Sequence, residues 1–223
     1  MTDDMRQEIL SVSRLTAWYQ PGRPVLSDLS AALYDHETVG LIGLNGAGKT
    51  TLINILSGLH TGYRAEGICC EGHPADLRGN AFKERRYTVF AEDHSFRYFT
   101  FREYLSYVSA AYHREMKNVE ALIEGFHFEN HTDVLLRDLS TGNQKKAWLI
   151  TAFALAPELL FLDEPVNGLD FQSTEYLYRL MAGYREHGTL LFSSHILESI
   201  TLTADRVMVL EDGRIRQTFC QEE

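Results

Sequence analysis

"GLNGAGKTTL", Gly43 to Leu52, places three glycines and a lysine in its first seven residues. It follows the apolar run Thr38-Val39-Gly40-Leu41-Ile42, which reads as a buried strand. Glycine gives up side-chain packing and costs conformational entropy, so a cluster of it behind a core strand needs a reason. The stretch fits G-x-x-x-x-G-K-[ST], with Gly43, Gly48, Lys49 and Thr50 at the fixed positions. Leu52, Ile55, Leu56 and Leu59 then recur at helical spacing, so the glycines join a strand to a helix. Such a backbone can curl until its N–H groups point inward at a phosphate, and the helix adds its positive end. Asn45, Gly46, Ala47, Gly48 and Thr51 belong to the expected cradle. Lys49 is expected to reach the outer phosphates, and the Thr50 hydroxyl to ligate Mg2+.

A phosphate loop of this kind needs a second magnesium ligand at the end of another buried strand. Leu159-Leu160-Phe161-Leu162 runs directly into Asp163-Glu164. Asp163 is expected to hold Mg2+, directly or through water. Glu164 is the candidate general base that polarises an attacking water.

The rest of the chain fits an α/β core. Leu29, Ala31 and Leu33 alternate as in a half-buried strand, and the opening third reads as strands. Arg86 to Ala91 reads as another strand. Phe101, Leu105, Val108 and Tyr112 recur at helical spacing, as do Val119, Leu122, Ile123 and Phe126, so residues 93–145 are read as a helical lobe. Strands return at Leu159–Leu162 and at Thr189-Leu190-Leu191-Phe192. Val207–Leu210, Glu211-Asp212-Gly213 and Arg214-Ile215 form an expected hairpin. Strands alternating with helices favour a mostly parallel sheet.

Composition sets outer limits. The chain has 223 residues, 44% hydrophobic and 23% charged, which suits one large domain or one domain with an inserted lobe. A net charge of -10 counts against broad nucleic-acid binding, and no nucleic-acid partner is expected. Cys69, Cys70 and Cys220 form neither a zinc spacing nor a disulfide framework, and adjacent Cys69 and Cys70 would point to opposite faces of a strand. The opening residues MTDDMRQEIL are acidic and polar, and no secretory signal is expected. The apolar stretch Ala147 to Leu162 is cut by Pro157-Glu158 and is too short to span a bilayer.

Between the two phosphate motifs lies Leu139-Ser140-Thr141-Gly142-Asn143-Gln144-Lys145-Lys146, followed by an apolar helix. This stretch resembles the LSGGQ signature of the ATP-binding-cassette (ABC) ATPases. Gly168-Leu169-Asp170 resembles the family's D-loop, and Ser193-Ser194-His195 ends a strand like its switch histidine. Tyr19, beside Trp18, sits where the family stacks an aromatic on adenine. The resemblance runs from about Ile9 to Ile215. It implies a P-loop core with a mostly parallel sheet, an N-terminal antiparallel β region and an inserted helical subdomain. One ABC domain over 1–223 is expected, with its core at about 1–92 and 146–223 and its helical subdomain at about 93–145.

The same resemblance implies ATP and Mg2+ as cofactors. It makes Glu164, His195 and Lys49 catalytic, and it places Tyr19, residues 45–51, Ser140, Gly142 and Asp170 on nucleotide. Ser140 and Gly142 stand at a helix N-terminus, an anion site that in the family faces the γ-phosphate held by the other subunit. Two copies pack head to tail, as a homodimer or as a heterodimer with another ABC ATPase subunit. A transmembrane permease is the further partner, which would hold the chain peripherally on the cytoplasmic face of the cell membrane.

Three departures stand out. The signature reads STGN where the usual form is SGGQ; the serine and second glycine, the anion-contacting positions, are kept. The family's loop glutamine falls on Ala91 or Glu92. Glu92 could approach Mg2+ or the attacking water, but a carboxylate cannot donate a hydrogen bond. Some lantibiotic exporters have glutamate there, which gives a lean towards export of a peptide or drug. The turn Tyr34-Asp35-His36-Glu37 lacks the common Pro-Gly and is expected to affect only the turn.

Three functions compete: the ATPase subunit of a transporter, a soluble ABC ATPase acting in translation or DNA repair, and a nucleotide-gated module without chemistry. Translation factors of this family usually carry two cassettes and repair ATPases a long coiled coil; this chain shows one cassette and neither feature. Intact Lys49, Asp163, Glu164 and His195 count against the third. The chain ends soon after the last hairpin, so no appended regulatory domain is expected.

Overall fold

Parallel strands covered on both faces need continuous apolar runs. The computed structural model, which describes residues 7–220, shows where those runs go. The first sheet begins with β1 (Glu8–Gln20) and β2 (Arg23–Tyr34), joined at a turn in which Gly22 adopts a left-handed φ of 80°. β3 (Thr38–Ile42) leads through the glycine loop to α1 (Lys49–Leu56). The short strands β4 (Tyr63–Arg64), β5 (Gly67–Cys70) and β6 (His73–Pro74) follow, then α2 (Asn80–Lys83) and β7 (Arg86–Val89). Next come the helices α3 (Phe101–Tyr112), α4 (Val119–Gly125) and α5 (Thr141–Leu155). The core resumes with β8 (Leu159–Leu162), α6 (Phe171–Ala182), β9 (Thr189–Ser194), α7 (Leu197–Thr203), β10 (Arg206–Glu211) and β11 (Arg214–Cys220).

Two sheets result. The N-terminal sheet is antiparallel, with β1 pairing β2 on one side and β5 on the other. Leu10, Val12, Leu15 and Ala17 of β1 and Leu26, Leu29 and Leu33 of β2 are buried on its inner face. The second sheet has the order β11-β10-β3-β9-β8-β7, parallel except for the β10–β11 hairpin. Ile42 pairs Ser194, Leu162 pairs Phe192, and Val89 pairs Leu162. This register brings the carboxyl ends of β3, β9, β8 and β7 to one edge, where ligands of open α/β sheets bind.

Residues 95–98 form a turn, and helix starts only at Phe101. Thr100 caps it: Glu103 N donates to Thr100 Oγ1 at 3.2 Å, and Thr100 N donates to Glu103 Oε2 at 2.7 Å. Satisfying two end donors reciprocally makes this a sharp start. Phe126, Phe128 and Phe101 are buried between these helices, and Trp148 of α5 meets Tyr104 edge-on at 4.6 Å. From Ala147 to Leu155 α5 is apolar nearly all round, because this part is buried between the other helices and β7.

Two expectations need correction. β7 ends at Val89 instead of Ala91, because the carbonyls of Phe90 and Ala91 accept hydrogen bonds from Lys145 Nζ. The turn Tyr34–Glu37 does more than reverse the chain. His36 takes a left-handed φ of 57°. Glu37 is buried, accepting from Tyr34 N at 2.7 Å and from Arg206 Nε at 2.9 Å. Arg206 also donates to Ala32 O at 2.7 Å and lies over the Tyr34 ring, so one ion pair ties the antiparallel sheet to β10. The expected absence of a signal over the first six residues lies outside the described residues. Cys69 and Cys70 are free and half-buried in β5, and burial pushes the Cys70 thiol up from its usual range.

Glu37→Ala strands the Arg206 charge in the interior and is expected to cost about 3–5 kcal/mol. Urea unfolding followed by circular dichroism measures the loss. Glu37→Leu combined with Arg206→Met, which removes both charges, should recover most of it.

Candidate functional site

The loop after β3 shows why its glycines are there. A Cβ on Gly43 would lie 2.3 Å from Leu210 O, so only glycine lets the loop pass β10. Gly48 caps α1 with φ of 108°, a conformation that side chains avoid, and its Cβ would strike Leu26. These constraints aim the first turn of α1 at the edge of the sheet. Lys49, 6% exposed, opens that turn. Its ammonium donates to Gly43 O at 2.8 Å and reaches Leu44 O at 3.4 Å, and it stands 3.7 Å from Glu164 Oε1.

Beside this loop lies a cleft of about 480 Å3. Asn45, Gly46, Gly48, Lys49, Thr50 and Thr51 form its floor. Tyr19, Glu164 and His195 close its sides, together with Val25 and Asn167. Ala47 lies on the same loop but lines the neighbouring hollow with Asn45 and Gly46. Tyr19 is 59% exposed, with its hydroxyl 3.3 Å from Thr51 Oγ1 and its ring 4.6 Å from that of His60. A broad aromatic face stands open at the mouth of a phosphate-sized floor.

The two acids behave differently. Asp163 is 1% exposed at the end of β8. Ser193 of β9 donates to Asp163 Oδ1 at 2.6 Å and accepts from Glu164 N at 2.9 Å. Asp163 Oδ2 is buried with no hydrogen-bond partner. An unpartnered buried carboxylate oxygen is costly, and a cation is one partner that offsets its charge. Asp163 lines a second hollow, of about 660 Å3, with Thr50 and Glu92. Thr50 lines both spaces, so a cation at the hollow would sit at the phosphate end of the cleft.

Among the described residues no group of three or more His, Cys, Asp or Glu could hold a metal by itself. Mg2+ is commonly held by one or two carboxylates together with phosphate oxygens, and Asp163 with its open oxygen is a residue of that type. Glu164 adopts a left-handed φ of 46°, unusual for a residue with a side chain. It is held on both sides: Lys49 faces Oε1, and His195 Nδ1 lies 2.9 Å from Oε2. An ionised carboxylate only accepts, so that histidine nitrogen carries the hydrogen.

The signature residues line neither space. Ser140 caps α5, accepting from Asn143 N at 3.2 Å. A Cβ on Gly142 would collide with Gly168 O, so the glycine lets the first turn of α5 touch the loop before α6. Asn143 Nδ2 lies 3.1 Å from His131 Nε2. Asp170 is engaged within its own chain: it caps α6 by accepting from Ser173 N at 2.9 Å, and it pairs with Lys146 Nζ at 2.6 Å. Burial pushes the Asp170 carboxyl up, but the Lys146 ammonium and the Ser173 donors overcome this and hold it well below the usual carboxylate range.

Sequence reasoning missed several members of the site. Ser193 was readable only as part of the Ser-Ser-His strand end; its bridge between Asp163 and Glu164 depends on the pairing of β8 with β9. Asn167 had no motif of its own. Lys145 was quoted within the signature without a role, yet it is 5% exposed and lies behind the second hollow. Burial lowers its pKa to about 8, against the pull of Asp163, Asp93, Glu164 and Glu92.

A strand–glycine loop–helix floor, an acidic strand end beside it and a separate helix-capping serine define a P-loop nucleotide-binding protein of α/β architecture. The family model described as "ABC transporter" matches residues 26–167, and the chain belongs to that family. It is 34% identical over 220 residues to a Bacillus subtilis protein named as the ABC transporter ATP-binding protein AlbC, covering 95% of this chain and 91% of the relative. It is 30% identical to the SkfA peptide export ATP-binding protein SkfE of the same organism, covering 94% of this chain and 88% of the relative. A solved ATP-binding subunit of an ABC transporter superposes with a TM-score of 0.85 at 27% identity, covering 95% of this chain and 90% of that one.

Asp170→Ala removes a helix cap and leaves the buried Lys146 ammonium unpaired. A loss of about 2 kcal/mol or more is expected in chemical denaturation, above the ~1 kcal/mol of a cap alone. Asp170→Asn keeps capping ability and should lose less.

Proposed function

We propose that this chain is the Mg2+-dependent ATP-hydrolysing subunit of an ABC transporter, acting as a dimer that drives a separate membrane-spanning permease. The observation that carries the reading is Asp163 Oδ2, a buried carboxylate oxygen without a partner, on a residue that lines a hollow shared with Thr50 of the phosphate loop. Residues 45–51 would bind the phosphates, with the Lys49 ammonium exchanging its loop carbonyls for phosphate oxygens. The exposed face of Tyr19 would stack on the adenine. Thr50, Asp163 and Glu92 would hold Mg2+, which offsets phosphate charge when bound.

Glu164 would act as the base. His195 Nδ1–H donates to Oε2 and fixes the carboxylate, leaving Oε1 on the Lys49 side to take a proton from water. Ser140 and Gly142 would complete the site of a second, identical or related copy, with Asp170 beside them; their place away from this chain's own cleft supports that arrangement. The unit spans about 1–223, with a helical subdomain at about 93–145 in the same chain.

Among the described residues no helix is long and apolar enough to cross a membrane, and in this reading the crossing belongs to the permease, with this subunit on its cytoplasmic side. The export of a peptide is the favoured task, supported by the likeness to SkfE.

Phosphate release from Mg-ATP tests the reading. Lys49→Ala should weaken ATP binding and abolish release. Glu164→Gln keeps the shape but loses the base, so binding should persist while release falls about 100-fold or more. Sedimentation of Glu164→Gln with Mg-ATP should show a dimer. Unchanged release in both variants would contradict the assignment.

A further inference from the structure

Lys145 is the fifth residue of α5, three to five positions beyond the capping Ser140 and Gly142. A buried ammonium is costly unless its donors are used, and here they are used on a loop. Nζ donates to Phe90 O at 2.7 Å and to Ala91 O at 3.0 Å. These are the two residues that leave β7 and immediately precede Glu92. Phe90, Ala91 and Glu92 line the hollow that contains Asp163 and Thr50. The next residue, Lys146, pairs instead with Asp170. The start of α5 therefore grips the β7 loop with one lysine and the loop before α6 with the next.

We propose that Lys145 is a positioning residue: its two hydrogen bonds fix the bend at Phe90-Ala91, hold Glu92 at the hollow, and make that loop move with the Ser140 end of α5. A helix and a loop joined only by packing could slide. Two charge-assisted bonds to successive carbonyls set both the distance and the orientation of the bend. A displacement of Ser140 and Gly142 is thereby delivered to Glu92 through one side chain. The inference rests on reading the hollow as the Mg2+ side of an ATP site. It adds a residue that touches neither nucleotide nor metal.

The test uses the full chain with Lys145→Met, Lys145→Arg and Glu92→Ala, and two readouts. The first is hydrogen exchange at the amides of residues 90–95 without nucleotide. Lys145→Met should speed it about tenfold, as expected where a local tether is removed. The second is the Mg2+ half-saturation of ATP-driven phosphate release, set beside ATP binding without Mg2+. Lys145→Met should raise the half-saturation and lower kcat by about tenfold, the usual scale for a residue that orients a ligand, while Mg2+-free ATP binding stays within about twofold. Lys145→Arg, which keeps charge and donors, should restore most of both readouts. In the Glu92→Ala background, Lys145→Met should add little to the Mg2+ shift, because it acts through Glu92.

A folded Lys145→Met with unchanged exchange overturns the proposal. So does faster exchange with unchanged Mg2+ dependence, since that is a purely structural staple. Should Lys145→Met not fold, Lys145→Gln decides by the same two readouts. Absence of phosphate release from the unsubstituted protein would sink the ATPase reading itself. The exchange comparison still reads the tether in that case.

Discussion

The site depends on the parallel pairing of β3, β9 and β8. That register sets Ile42 beside Ser194 and Phe192 beside Leu162, so the glycine loop, the Ser193-Ser194-His195 end and Asp163-Glu164 meet at one edge. Side chains alternate along a strand, so a slip of one residue would turn Ser193 away from Asp163. Ser193 then could not donate to Asp163 Oδ1 or accept from Glu164 N. The continuous apolar runs of these strands, buried on both faces, are what make such a slip costly. Core packing and site geometry are in this sense one constraint.

The second feature is how tightly Glu164 is placed. It lies in a left-handed conformation, between Lys49 and His195, with its backbone N–H taken by Ser193. Non-glycine residues rarely pay for that conformation unless their surroundings dictate it. The neighbouring Asp163 is fixed through one oxygen only. Two adjacent acids thus receive different environments: one keeps a buried oxygen without a hydrogen-bond partner, the other is oriented between a lysine and a histidine.

Much of this was legible in the sequence. The glycine loop and the strand before it, the apolar run into two acids, and the strand ending in Ser-Ser-His are local patterns, and each appears as a strand whose carboxyl end leads into the residues read there. The hairpin at the C-terminal side was visible through Asp212-Gly213. What the sequence could not show are contacts between distant segments. Glu37 looked like an ordinary turn residue because Arg206, its partner, lies 169 positions away. Asp170 was read from its motif as a nucleotide contact; that it also caps α6 and pairs with Lys146 could not be seen from the motif. The strand at 86–91 was read two residues too long because the lysine that draws those carbonyls away belongs to another helix.

The central claim is that the unpartnered oxygen of Asp163 and the hydroxyl of Thr50 receive a divalent cation brought with nucleotide. Mn2+ binding followed by electron paramagnetic resonance, with and without ATP, tests it most directly. One tightly bound Mn2+ per chain that requires ATP, and that is lost in Asp163→Asn while ATP alone still binds, is the predicted result. Equal Mn2+ binding by Asp163→Asn and the unsubstituted protein would contradict the account.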